Sequence, residues 1–253
     1  MTDPIKRFSS RVENYLKYRP GYPREIIDLL ASQSGLTPKA IVADIGSGTG
    51  ILSELFLQHG NSVYGIEPNH DMRAAAEVLL TNYTTFTSVD GKAEATSLAD
   101  NSVDFVIAGQ AFHWFDQKKA RREFVRILEP KGWVVLTWNE RRLDSSGFLR
   151  AFEELFLKYG TDYERVRHEN VNKDIASFFA PSGFQVATFD NFQTLDFEGL
   201  KGRALSASYT PEPGHPSFTP MLEQLRAIFS TYQKSDKVTI EYNTRIYYGQ
   251  LSK

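Results

Sequence analysis

Ile41-Val42-Ala43-Asp44-Ile45-Gly46-Ser47-Gly48-Thr49-Gly50 is the stretch that decides the fold. Its first five residues read as a buried strand, apolar apart from the aspartate. Three alternating glycines then make a turn that a ligand can approach closely, because no Cβ stands in the way. The next residues, GILSELFLQ from Gly50 to Gln58, carry apolar positions at helical spacing and stop near His59-Gly60, a common helix end. A helix start beside a strand end offers free N–H groups to a ligand. Taken alone the glycines are a weak signal, since a tight strand–helix turn would also need them.

The same alternation continues outward. Ser62 to Glu67 reads as a second strand, and Pro68-Asn69 opens a helix to about Leu80 with Asn69 or Asp71 as its cap. Phe86 to Val89, Val103 to Ile107 and Trp133 to Trp138 follow as strands, with a helix from Gln117 to about Leu128 before the last. Strands separated by helix-length connections predict a doubly wound α/β fold, with a mostly parallel sheet and helices on both faces. Ligands of such sheets sit beyond the C-terminal strand ends. Asp44, Glu67, Gly91 and Gln110 all fall there, so four sequence-distant positions converge on one edge.

Outside this block the periodicity is weaker. Residues 1–39 read as helical, broken by Tyr18-Arg19-Pro20-Gly21-Tyr22-Pro23, and Gly147 to about Gly160 reads as a helix. Pro181 to Phe192 holds a further strand, and Lys237 to Leu251 is a last strand or hairpin. Leu200 to Pro220, rich in Gly, Pro and Ser, reads as a loop-rich covering segment. One domain over 1–253 is expected: a helical lid over 1–39, a cofactor-binding core over 40–140, and substrate-side helices, cover and last strands over 141–253.

Composition narrows the chemistry. With 29 basic and 31 acidic residues the net charge is −2, which offers no general attraction to nucleic acid or anionic membranes. The chain has no cysteine, so disulfides, thiolate zinc sites and iron–sulfur clusters are excluded. Its five histidines show no paired ligand spacing, and no metal is expected. No signal peptide or apolar run of membrane-spanning length is seen, so a cytoplasmic protein is expected. Lys118-Lys119 with Arg121-Arg122 reads as a solvated helix face.

The two strand-end acids choose between ligands. A dinucleotide fingerprint needs Gly-x-Gly-x-x-Gly/Ala, and Ile51 stands in the final place. A pyrophosphate would also face Asp44, an unfavourable meeting of like charges in a partly dry site. A sulfonium ligand with an α-amino group reverses that sign, while Glu67 can accept both hydroxyls of an adenosine ribose. VADIGSGTG, then GIEPN, then GKAEATSLADNSVDFVIAGQAFHWFD resembles the class I, Rossmann-like S-adenosylmethionine-dependent methyltransferases, in particular the small-molecule branch of trans-aconitate methyltransferases.

The resemblance implies a seven-stranded sheet, S-adenosyl-L-methionine as cofactor with S-adenosyl-L-homocysteine as product, and a small-molecule methyl acceptor. It places Gly46, Ser47, Gly48 and Gly50 under the cofactor, Asp44 at its methionine part and Glu67 at the ribose. Pro68, Asn69 and Met72 would lie near the adenine, with Ala93 and Glu94 at its amino edge. Tyr18 and Arg19, in a lid, would touch its carboxylate end. Gln110 would bind that carboxylate or the acceptor. His113 is the one candidate base, with a structural histidine equally open, and Trp114 would help wall the site. Arg141 and Tyr209 are candidate acceptor contacts, alongside Arg203, Ser206 and Ser208 in the covering segment. The missing Asn/Asp-Pro-Pro-Tyr/Phe motif, replaced here by Gly109-Gln110-Ala111-Phe112, favours an oxygen nucleophile such as a carboxylate. An NAD(P)-dependent oxidoreductase on a related fold, and a non-catalytic cofactor binder, are the alternatives.

Overall fold

The computed structural model describes residues 12–161, 163 and 171–252, so the expected lid before residue 12 lies outside it. Seven strands form one sheet: β1 (Ile41–Ile45), β2 (Ser62–Ile66), β3 (Phe86–Val89), β4 (Val103–Gly109), β5 (Leu128–Arg141), β6 (Gln185–Leu195) and β7 (Val238–Gly249). Their order is β3-β2-β1-β4-β5-β7-β6. The first five strands pair in parallel, whereas β7 runs antiparallel to both β5 and β6. The chain winds outward from β1 to β3, then restarts on the other side with β4. The crevice between the C-terminal ends of β1 and β4 is therefore a topological switch point, where open α/β sheets bind ligands.

Nine α-helices are described: α1 (Val12–Tyr18), α2 (Glu25–Ser34), α3 (Ile51–His59), α4 (His70–Leu79), α5 (Gln117–Ile127), α6 (Gly147–Tyr159), α7 (Val171–Phe179), α8 (Phe197–Leu205) and α9 (Phe218–Tyr232). Alternation along the strands divides the core in two. Ala43, Ile45, Val106 and Leu136 pack with Phe124 of α5 and Phe178 of α7, while Val42, Ile107 and Val135 pack with Leu30 of α2 and Phe56 of α3. A third cluster joins α6, α8 and α9 to Val238, Ile240 and Tyr242 of β7. Helix starts are fixed by side-chain caps: Asn69 accepts from Met72 N–H, Asp116 from Lys119 N–H and Ser146 from Leu149 N–H. Among the described residues, no helix is long and apolar enough to cross a membrane.

The structure corrects several expectations. Leu200 to Pro220 is loop from 206 to 217, as its composition suggests, but its two ends are helical: α8 occupies 197–205, capped by Asp196 on Gly199 N–H, with Leu200 and Ala204 fully buried, and α9 begins at Phe218. Gly202 made the α8 end of that segment look like loop. A Cβ on Gly202 would meet the Tyr18 ring at 2.0 Å, so this glycine serves a close helix–helix contact rather than a turn. Helices α7 and α9 had no sequence signal strong enough to predict them. Val238–Gly249 is one continuous strand paired on both sides, not a hairpin. Arg121 does not sit on a solvated face; its guanidinium donates to the Phe178, Ala180 and Ser252 carbonyls at 3.0–3.1 Å.

Candidate active site

The glycine turn closes β1 with Gly46 at φ 69°, Gly48 at φ 56° and Gly50 at φ 84°. These are left-handed conformations that side chains disfavour. A Cβ on Gly46 would meet Ala111 Cβ at 2.7 Å, because the segment after β4 rests directly on it. Nothing lies within 4 Å of the corresponding position at Gly48, so the loop presents bare backbone to open space there.

Asp44 is 1% exposed. Ser53 Oγ, on the first helical turn after the loop, donates to Asp44 Oδ2 at 2.7 Å, and Oδ1 has no hydrogen-bond partner. Burial pushes this carboxyl up to about 7, with the Glu67 charge adding to the rise and Ser53 opposing it. Glu67 holds the loop from the neighbouring strand end: Oε2 accepts from Gly48 N–H at 3.0 Å and Oε1 from Asn69 N–H at 2.8 Å. Burial raises its pKa too, against those two bonds and the Arg73 charge. A carboxylate can accept about four hydrogen bonds, so two positions remain.

A cavity opens at this switch point. Asp44, Gly46, Ser47 and Thr49 of the loop line it, with Ile51 and Leu52 of α3. Gly109 and Gln110 at the end of β4, Asn139 of β5 and Arg203 of α8 complete the wall under Arg19, Pro20 and Tyr22. Thr49 is fully buried and its hydroxyl has no partner, which makes it the second unsatisfied buried oxygen on this wall. Gln110 takes a positive φ of 58°, a strained conformation for a side-chain-bearing residue. Its N–H donates to Thr137 O at 2.9 Å and its amide to Asn139 O at 3.3 Å. Arg19 donates to Ser206 O at 2.9 Å. Among the described residues lining the cavity, Asp44 is the one acid, facing two guanidinium groups.

A family model described as a methyltransferase domain matches residues 43–136. An uncharacterised methyltransferase of a Geobacillus species is 31% identical over 153 residues, 58% of this chain and 68% of that protein. The chain belongs to the methyltransferase family. A methyltransferase-like protein of Schizosaccharomyces pombe is 26% identical over 247 residues, 95% of this chain and 93% of its own length. The solved structure of a candidate type II methyltransferase from Anaeromyxobacter dehalogenans shares the fold, with a TM-score of 0.66 at 20% identity, over 92% of this chain and 98% of that one. The methyltransferase is thus of the S-adenosylmethionine-dependent class I kind. The oxidoreductase and the non-catalytic binder are set aside.

Its residues suit that cofactor. Two buried oxygens without partners, Asp44 Oδ1 and Thr49 Oγ1, match an ammonium donor, and the bare face of Gly48 leaves room for a nucleoside. Met72 and Ala93 are 3% and 5% exposed beyond the ends of β2 and β3, and Pro68 is half-buried. Glu94 Oε1 accepts from Asp116 N–H at 2.7 Å, tying the segment after β3 to the start of α5.

Gly48, Gly50, Glu67, Pro68, Met72, Ala93 and Glu94 lie around the strand ends without lining this cavity, and other expected site residues of the methyltransferase also stand apart from it. His113 and Trp114 form part of a 3-10 turn at 112–114, half-buried, with their rings 4.7 Å apart. Phe112 beside them is core, edge-on to Phe178 at 4.9 Å and to Trp138 at 6.3 Å. Tyr18 lies against Gly202 rather than on the cavity wall. Arg141 is drawn inward: it bonds the Glu153 carboxylate and the Tyr163 hydroxyl, with its guanidinium 4.9 Å from the Phe152 and Phe156 ring centres. Both charged side chains of that pair are 9% exposed. Tyr209 packs on Phe156 at 5.2 Å in the same cluster. Sequence reasoning missed Ser53 and Asn139, and held Thr49 in the glycine loop without a role of its own. Asn139 follows the C-terminal strand-end rule and was findable on that ground; the other two emerge only from packing.

Proposed function

We propose that the methyltransferase transfers a methyl group from S-adenosylmethionine to a carboxylate, or another oxygen nucleophile, of a small anionic molecule. The observation that supports this reading is the charge layout of one cavity: a buried, half-satisfied Asp44 on the glycine-loop wall, and the Arg203 guanidinium, 7% exposed, on the α8 wall. Bound S-adenosylmethionine supplies a methyl group on a positively charged sulfur, already joined to a good leaving group. The chain then has to hold, align and keep dry. Asp44 and Thr49 take the α-ammonium, and the two remaining lone-pair positions of Glu67 take the ribose hydroxyls. Met72, Ala93 and Pro68 receive the adenine. Arg19, Pro20 and Tyr22 exclude water from above. Arg203 and the Asn139 amide orient the acceptor anion, with Gln110 at the junction. A carboxylate is already nucleophilic and needs no base, which agrees with His113 standing outside the cavity wall. We further propose that 1–253 works as one domain, since β6 and β7 complete the sheet that the first five strands begin.

A methyl-transfer screen over carboxylic acids, phenols and primary amines tests this. Carboxylic acids should be methylated, giving a product whose methyl is released by mild alkali, as an ester requires. Arg203→Gln should raise the acceptor KM about tenfold or more, through loss of a charged hydrogen bond, with the cofactor KM little changed. Transfer confined to amines or phenols would remove the carboxylate reading.

A further inference from the structure

Two chains of hydrogen bonds run from the cavity wall to the backbone of the Tyr18–Tyr22 segment, which covers the cavity. Arg203 Nε donates to the Tyr242 hydroxyl at 3.0 Å. That hydroxyl donates to Gln193 Oε1 at 2.8 Å, and Gln193 Nε2 donates to the Tyr18 carbonyl at 3.1 Å. On the other side of Arg19-Pro20, the Gly21 carbonyl accepts from Asn139 Nδ2 at 3.1 Å and from Asn191 Nδ2 at 2.9 Å. Asn191 also donates to Asn139 Oδ1 at 3.1 Å, and Thr244 donates to the same oxygen. Asn191 and Gln193 are two residues apart on β6, so they share one face of the sheet. Neither lines the cavity.

We propose that Asn191 and Gln193, on the outermost strand of the sheet, are positioning residues that latch the Tyr18–Tyr22 segment over the active site. This rests on the reading of that cavity as the methyl-transfer site. The geometry favours a latch over incidental surface bonding for three reasons. Both bonded groups are backbone carbonyls of the covering segment, so the contacts fix its path irrespective of its side chains. They bracket Arg19 and Pro20, two of the three covering residues that line the cavity. Each chain also ends on a cavity side chain, Arg203 or Asn139, so the latch is continuous with the wall that faces the acceptor. In the Arg203–Tyr242–Gln193–Tyr18 series every member donates to the next, and a charged donor at its head strengthens those behind it. The notch at Gly202 adds the steric half, by admitting the Tyr18 ring against α8.

The test uses the full chain and three variants: Gln193→Leu, Asn191→Ala and Tyr242→Phe, the last removing one hydroxyl and keeping the ring. Each should weaken S-adenosylhomocysteine binding about three- to tenfold per lost bond, through faster dissociation, with kcat at saturating substrates changed less than the KM values. Trypsin cleavage after the exposed Lys17, followed by mass as loss of the first 17 residues, should accelerate in the same variants while the melting temperature stays near wild type. Wild-type affinity and wild-type cleavage in both Gln193→Leu and Asn191→Ala would overturn the latch. A wild-type protein that fails to bind S-adenosylhomocysteine would instead sink the functional reading, and the cleavage arm would still judge the latch without ligand. Uniform loss of melting temperature, with cleavage spread over many sites, would mean that these residues only stabilise the sheet edge and would also overturn it.

Discussion

The glycine loop and the α6–α8–α9 cover meet at one cavity but are built on different principles. The loop is specified by neighbours in sequence. Within ten residues, Asp44, Gly46, Gly48, Gly50 and Ser53 set a strand end, three left-handed turns and a buried carboxyl with one satisfied oxygen. The cover is specified by contacts across the chain: Arg203 is read through Tyr242, Tyr242 through Gln193, and Gln193 through Tyr18. Loop substitutions should therefore act mainly on cofactor binding. Cover substitutions should act on stability or on the acceptor, depending on which side of α6 and α8 they face.

The largest expected effect breaks the cover and spares the loop. Arg141→Ala takes the cation away from the buried Glu153, which keeps the hydrogen bond from the Tyr163 hydroxyl, and loss of one member of a buried pair costs about 3–5 kcal/mol. Denaturant unfolding should register that loss, while any protein that remains folded binds S-adenosylhomocysteine with unchanged affinity. A change in affinity equal to the change in stability would erase the distinction between the two regions.

Two glycine variants sharpen it from the other side. Gly46→Ala combines a left-handed φ with a 2.7 Å collision against Ala111, a cost of about 2–4 kcal/mol from strain and overpacking together. Gly48→Ala has the same kind of φ but open space, so its cost is about 1 kcal/mol. It should nonetheless lower cofactor affinity more than stability, because on the proposed function the added methyl enters the open space left for the nucleoside. Equal stability losses for the two would mean that backbone strain alone governs the loop.

How much of this was legible depended on whether a feature is local. The strand–glycine–helix unit, the parallel direction of the first five strands and the acids at two strand ends could be read directly, because periodicity and turn chemistry act over a few residues. Asn69 was legible as a cap for the same reason. The cover was not. Gly202 resembles a loop residue until Tyr18 is seen filling the space of its missing side chain. Arg141 is the last residue of β5, where an acceptor contact is expected, but Phe152, Phe156 and Glu153 on the next helix draw it inward. Arg203 was noticed only as a polar group in an expected loop; helix α8 is what turns it to the cavity.

The dependence on pH bears most closely on mechanism. Burial lifts the Asp44 pKa from its ordinary 3.8 to about 7, so the ligand-free protein keeps a proton that the unfolded chain loses. Below about pH 4 both states are protonated and the group does not affect stability. From there to about pH 7 its destabilising effect grows as pH rises, and above that it is full. A bound ammonium returns Asp44 to its ionised form, so cofactor affinity should strengthen as pH rises toward about 7 and then level off. Asp44→Asn should flatten that profile.

Calorimetric titration of S-adenosylhomocysteine, run at pH 6.5 in two buffers of different ionisation enthalpy, counts the protons released when the ligand binds. If Asp44 seats the ammonium, roughly three-quarters of a proton should leave per site in the wild type and none in Asp44→Asn, which should also bind more weakly. Tight binding with no proton release, identical in the two proteins, would contradict the account.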